Sequence, residues 1–241
     1  MIRNIIYILL AFYISVSFVS CNDNDNDDED LVVKKEIKIS ILGDSYSTFE
    51  GFVTPVSNPV WYPVTNGWDA NDVVDVKQMW WHGVLQEYGA TLEINNSYSG
   101  ATICNTGYYG TDSSSLSFIA RMNNMGDPDI IFIFGGTNDS WANSPVGDYK
   151  YHDWTTADLK SFRPAFAYML DYLTKKHPDA RIINIVNTGL KEVITESQTL
   201  ICDYYKIKSV QLMNIEKQSN HPNINGMNAI KKQIMAILET V

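Results

Sequence analysis

The chain has 241 residues, 45% of them hydrophobic and 19% charged, which suits one larger α/β domain or two small ones with a normal buried core. That balance excludes a disordered, collagen-like or disulfide-scaffold protein. A formal net charge of −10 argues against a nucleic-acid-binding surface, since phosphate contacts need clustered Lys and Arg.

The chain begins as a targeting segment. Arg3 supplies a short positive start, and 5–19 is an apolar run too short for a comfortable membrane span but long enough for a signal sequence. The run ends at Phe18-Val19-Ser20-Cys21, which resembles the lipobox of bacterial lipoproteins, with Phe18 where that motif usually carries Leu. The resemblance implies a signal peptide over 1–20 and a lipidated Cys21 that anchors the protein outside the cytoplasm. Six acids follow within 22–30, too polar to fold alone, so 21–34 is expected to be an extended tether. Without those six acids and Arg3, 17 basic and 22 acidic residues remain, a formal −5. An acidic run after the lipidated Cys also resembles the surface-export signals of some Gram-negative lipoproteins. Of the two other cysteines, Cys104 and Cys202 can pair or remain buried thiols, and no metal-ligand spacing is present.

From residue 35 onward, strands and helices alternate. Strands are expected at 36–42, 91–95, 129–134, 181–186 and 209–213. The third is nearly all apolar, as a central parallel strand covered on both faces should be. Helices are expected at 78–88, 115–125, 155–176 with an interruption at Pro164, 190–205 and 226–238. This alternation predicts βαβ units and a five-stranded parallel sheet between helical layers. Right-handed crossovers put all strand C-termini on one edge, where the chemistry of open α/β sheets is found. Ser45, Gly100, Asn138, Asn187 and His221 follow the five strands in turn and so share that edge.

Four short motifs on this edge resemble the blocks of the SGNH (GDSL-like) hydrolases. They are Gly43-Asp44-Ser45-Tyr46-Ser47, Asn96-Ser97-Tyr98-Ser99-Gly100, Gly135-Gly136-Thr137-Asn138-Asp139 and His221-Pro222, in the family's order. Singly, Ser45 reads equally as a helix N-cap, Gly100 as a turn residue and Asn138-Asp139 as a loop cap. Together they imply a three-layer α/β/α flavodoxin-like sandwich over 35–241 and an ester- or acyl-hydrolysing activity without metal or cofactor. By the same resemblance Ser45 is the nucleophile and His221 its base. The Ser45 and Gly100 N–H groups and the Asn138 amide would form the oxyanion hole. These residue types suit acyl transfer, which needs a nucleophile, a base and donors for the developing oxyanion.

There are four histidines. His177 falls at the opposite edge, and His82 lies in a helix beside Trp80 and Trp81. His152 lies on the correct edge in an insert, and His221 is the best candidate. The family pattern D-x-x-H has Gln218 at its acid position here, and Glu216 stands five residues before the histidine. The site is therefore expected to work as a Ser–His dyad, its imidazole held by Glu216 or by a backbone carbonyl. Asp44 is expected to be structural.

Aromatics crowd two inserts above this edge. Trp61, Trp68, Tyr108 and Trp141 are expected to form a substrate rim, suited to stacking on sugars or lining an acyl pocket. A tethered extracytoplasmic esterase with such a rim fits a carbohydrate O-acetyl esterase acting on an acylated glycan or small molecule. The alternatives are a general carboxylesterase, thioesterase or lysophospholipase, or a non-catalytic glycan-binding lipoprotein.

Overall fold

The computed structural model describes residues 35–239, so the signal peptide, the Cys21 anchor and the acidic tether lie outside the described residues. The elements run β1 (Ile37–Gly43), α1 (Trp80–Tyr88), β2 (Ala90–Asn95), α2 (Phe118–Arg121), β3 (Ile130–Phe134), α3 (Thr137–Ala142), α4 (Phe162–Lys176), β4 (Arg181–Val186), α5 (Glu192–Tyr205), β5 (Lys208–Gln211), β6 (Lys217–Gln218), β7 (His221–Pro222) and α6 (Ile224–Leu238).

Strands β1 to β5 form the parallel sheet that the alternation predicted, in the order β2-β1-β3-β4-β5, the flavodoxin-like winding that the family resemblance implied. Side chains alternate across it. Ile39, Ile41, Phe132, Phe134, Ile183 and Ile185 face one core under α1 and α6. Leu42, Ile131, Ile133 and Ile182 face the other, under α2, α4 and α5. All five residues of β3 are buried, because helices cover both faces of this central strand.

The helices bury one stripe each. In α6, Met227, Ile230, Ile234 and Leu238 recur at the helical period, and Asn223 caps the first turn by accepting the Gly226 N–H at 2.8 Å. In α4, Phe162, Ala165, Phe166, Met169, Leu170 and Leu173 do the same.

Three local readings are corrected. The helix expected over 115–125 is a single turn, because the Asn96 amide takes the Arg121 carbonyl at 2.8 Å and that of Asn124 at 3.0 Å. The long helix expected from 155 begins only at Phe162, preceded by a 3₁₀ turn at Asp158–Lys160. Pro164 does not interrupt it, since it sits in the first turn, where N–H groups lack intrahelical acceptors. Two elements were not expected: α3, hidden behind Gly135-Gly136, and the β6–β7 hairpin. Gly136 adopts φ +89, and a Cβ there would stand 2.5 Å from Gln198 Nε2, so only glycine can launch α3 in this way. Cys104 and Cys202 are both free and buried.

Phe132 is 1% exposed at the centre of the sheet. Phe132→Ala is expected to cost about 3–5 kcal/mol by cavity formation, read as a lower urea midpoint at unchanged m-value.

Candidate active site

The site begins where β1 ends. Asp44 caps a 3₁₀ turn over Ser45–Ser47, its Oδ1 accepting the Tyr46 N–H at 3.0 Å. Burial pushes the Asp44 carboxyl up to about 7, against the Tyr46 N–H, which favours its charge. Asp44 is thus structural, as expected. The turn's carbonyls are tied down from outside. Trp80 Nε1 donates to the Tyr46 carbonyl at 3.1 Å and Trp81 Nε1 to that of Ser47 at 3.0 Å. Thr48 Oγ1 donates to the Ser45 carbonyl at 3.0 Å and accepts the Trp61 N–H at 2.8 Å. These bonds hold Ser45 at the strand's end, only 3% exposed.

His221 comes from far along the chain and meets it. Its Nε2 lies 2.9 Å from Ser45 Oγ, and its Nδ1 lies 2.9 Å from the Ser219 carbonyl oxygen. A carbonyl can only accept, so the proton sits on Nδ1 and Nε2 is left free to accept from the Ser45 hydroxyl. The Ser219 carbonyl reaches Nδ1 because Ser219 and Asn220 form the two-residue turn between β6 and β7, both at positive φ (48° and 61°). Tyr46 Oη hydrogen-bonds the Asn220 carbonyl from below.

Glu216 is not near this nitrogen. Its carboxylate accepts from Asn223 Nδ2 at 2.5 Å and from Asn225 Nδ2 at 3.1 Å, at the start of α6. Gln218 also turns away, its Oε1 accepting the Asp72 N–H at 2.9 Å. Burial holds the His221 imidazole well below its ordinary value, at about 4. The nearby Lys217 cation acts in the same direction, while the Ser219 carbonyl and Asp69 oppose it.

The other two motifs reach the same edge. Gly100 takes φ +83 in a turn closed by the Ala101 N–H to the Tyr98 carbonyl at 3.2 Å. Asn138 lies in the first turn of α3, its Nδ2 donating to the Ala101 carbonyl at 3.0 Å. Tyr108 Oη donates to Asn138 Oδ1 at 2.7 Å, which fixes the amide's orientation. Asp139 Oδ2 accepts the Ile103 N–H at 2.8 Å and its Oδ1 that of Cys104 at 3.2 Å, locking the segment after Gly100 onto α3. Among the described residues, neither the Ser45 nor the Gly100 N–H has an intramolecular acceptor. Asn187 donates to Thr137 Oγ1 at 3.0 Å and supports α3 from beneath.

The four rim aromatics divide. Trp68 is fully exposed and Trp141 is 39% exposed, in edge contact with His221. Trp61 instead lies flat on the His221 ring, 3.6 Å between centroids at 7°, and Tyr108 is committed to Asn138. The insert that carries Trp61 grips the histidine hairpin. Tyr62 Oη donates to the Pro222 carbonyl at 2.7 Å, and Asn71 Nδ2 reaches the carbonyls of Gln218, His221 and Pro222 at 3.3–3.4 Å. Sequence reasoning missed Thr48, Asn71 and Ser219, which act largely through main-chain contacts. Among the other histidines, His177 caps the end of α4 and His152 is exposed beside Asp153. Among the described residues no group of three or more His, Cys, Asp or Glu is arranged to hold a metal ion.

A serine, a neutral imidazole and unpaired N–H donors gathered on one edge of a parallel sheet are the groups that acyl transfer requires. The pattern of the GDSL-like lipase/acylhydrolase family matches residues 37–238, and the chain belongs to that family. A crystal structure described as a GDSL-like lipase from Bacteroides uniformis is 49% identical over 88% of this chain and 100% of its own, at a TM-score of 0.85. Another so described, from Bacteroides ovatus, is 50% identical over 86% of this chain and 100% of its own, at 0.84. An acetyl xylan esterase from Butyrivibrio proteoclasticus shares the fold at 20% identity and a TM-score of 0.55, over 84% of this chain and 63% of its own. No curated protein sequence matches the chain. The protein is therefore an ester-hydrolysing enzyme, which sets aside the non-catalytic reading.

The buried imidazole makes one direct prediction. In an NMR titration, the His221 ring protons, assigned by comparison with His221→Gln, are expected to shift with a midpoint near about 4. A midpoint at or above 6.5 would mean that water reaches the ring freely.

Proposed function

We propose that this enzyme is a Ser–His dyad esterase that removes small acyl groups, acetyl above all, from carbohydrates. Ser45 Oγ attacks the ester carbonyl while His221 Nε2 takes its proton. The Ser45 and Gly100 N–H groups and the second Asn138 amide hydrogen receive the developing oxyanion. His221 then protonates the leaving sugar alcohol. A water activated by the same nitrogen releases the acid and restores Ser45. The 2.9 Å Ser45–His221 contact and the two unpaired N–H groups support this assignment.

The observation that carries the sugar reading is a pair of fully exposed aromatics, Trp68 and Tyr109, on the two loops that serve the site. Trp68 is attached to the histidine hairpin through Ser219 Oγ, which donates to its carbonyl at 3.1 Å. Tyr109 follows Tyr108, which holds Asn138. Large aromatic faces left in water on the loops that hold an acyl-transfer centre suit stacking on sugar rings. The low exposure of Ser45, beside a histidine packed by Trp61 and Trp141, favours a small acyl group over a long chain. The lipobox-like segment ending at Cys21 fits a lipid anchor that would hold the enzyme outside the cytoplasm, where acylated glycans occur.

Ser45→Ala is expected to lower p-nitrophenyl acetate hydrolysis by roughly 10⁴-fold or more and to abolish fluorophosphonate labelling while the fold is kept. Full activity in that variant would end the dyad reading. Trp68→Ala with Tyr109→Ala is expected to raise KM for acetylated xylan or mannan by about tenfold and to leave p-nitrophenyl acetate unaffected. Equal kinetics on the polysaccharide would remove the sugar reading alone.

A further inference from the structure

In a triad the carboxylate does two things: it fixes the histidine tautomer and it stabilises the imidazolium that forms in the transition state. The Ser219 carbonyl accounts for the first in this site. For the second, no carboxylate among the described residues bonds to the ring, since Glu216 is engaged elsewhere and an amide, Gln218, stands at the usual acid position. His221 is 6% exposed, so water gives the charge little help.

Four aromatic rings surround the imidazole. Tyr46 is tilted at 5.1 Å, Tyr62 is edge-on at 6.3 Å, and Trp141 is edge-on at 6.1 Å. Trp61 alone among them lies parallel, at 3.6 Å. We propose that the Trp61 indole face does the second part of the missing acid's work, bearing the positive charge that His221 acquires when it takes the Ser45 proton. This rests on the dyad reading above.

Four points carry the proposal. The π-face of an indole attracts a cation within about 6 Å of its centroid, and most strongly where water is excluded. The attraction grows when the ring becomes charged, so it favours the transition state over the ground state. Trp61 is also a costly choice for packing alone, because its buried Nε1–H has no acceptor among the described residues, a cost that phenylalanine would avoid. Finally, Thr48 Oγ1 joins the Trp61 N–H to the Ser45 carbonyl, so the stack is registered to the nucleophile. The charged groups that bear on the ring act from farther away. Lys217 opposes the imidazolium from β6, and Asp69, on the exposed Trp68 loop, favours it. Trp61 is thus a positioning residue that acts through His221.

The test replaces Trp61 in the full chain, by site-specific incorporation, with mono-, di- and tetrafluorotryptophan. Fluorine drains the π-face and barely changes the ring's size. The expected result is a stepwise fall in kcat for p-nitrophenyl acetate, reaching about tenfold in the tetrafluoro enzyme, with KM changed by less than about twofold. The NMR midpoint of His221 should fall in step. Trp61→Leu should show a similar kcat loss, and Trp61→Tyr should recover part of it. A flat series in both kcat and the His221 midpoint, in an enzyme whose hydrolysis still depends on Ser45, would overturn the Trp61 role and leave the dyad standing. Hydrolysis that does not depend on Ser45 would overturn both.

Discussion

The bond from His221 Nδ1 to the Ser219 carbonyl is the constraint on which the site's chemistry depends. It decides which ring nitrogen carries the proton, and so whether Nε2 can accept from Ser45 at all. It exists only because two consecutive residues, Ser219 and Asn220, take left-handed backbone conformations in a hairpin of two-residue strands. So small a hairpin is not stable by itself. Its stability comes from Asn71 and Tyr62, which hold its carbonyls, and from Tyr46, which reaches up from the nucleophile turn. The long insert after β1 is thus part of the site's framework as well as a cover over it.

The nucleophile is fixed by a complementary strategy. Its turn is capped from within by Asp44 and tied from outside by two indole N–H groups on α1. Serine and histidine therefore rest on different elements over one shared core: one on β1 and α1, the other on the start of α6. Thr48 and Trp61 join the two supports. Burial around this junction holds His221 neutral and pushes Asp44 up, so water screens little here. In such a place dipoles and π-faces count for more than they do in water.

Much of the fold was legible. The apolar run of β3 and the alternation of short strands with amphipathic helices imposed a parallel sheet, and its handed crossovers brought Ser45, Gly100, Asn138 and His221 to one edge. Local failures had local causes. Asn96 diverts carbonyls that would have extended α2. Adjacent glycines concealed α3, because their propensity signals a loop while their lack of a Cβ is what lets the helix start so close to Gln198. Trp61 and Trp68 look alike in sequence, and only the packed structure separates the one that faces His221 from the one that faces solvent. The Ser219 carbonyl could not be read at all, since every residue has one. Its only trace was a Ser-Asn pair suited to positive φ.

That last point bears on how such a site can change over generations. An orienting aspartate can be deleted by a single codon change. A main-chain oxygen cannot: any residue at position 219 still supplies it. What mutation can damage is the turn, because β-branched or bulky residues at 219 or 220 resist a positive φ. The pressure on this stretch thus falls on shape rather than on chemistry, and any side chain that tolerates a positive φ there keeps the same proton on the same nitrogen.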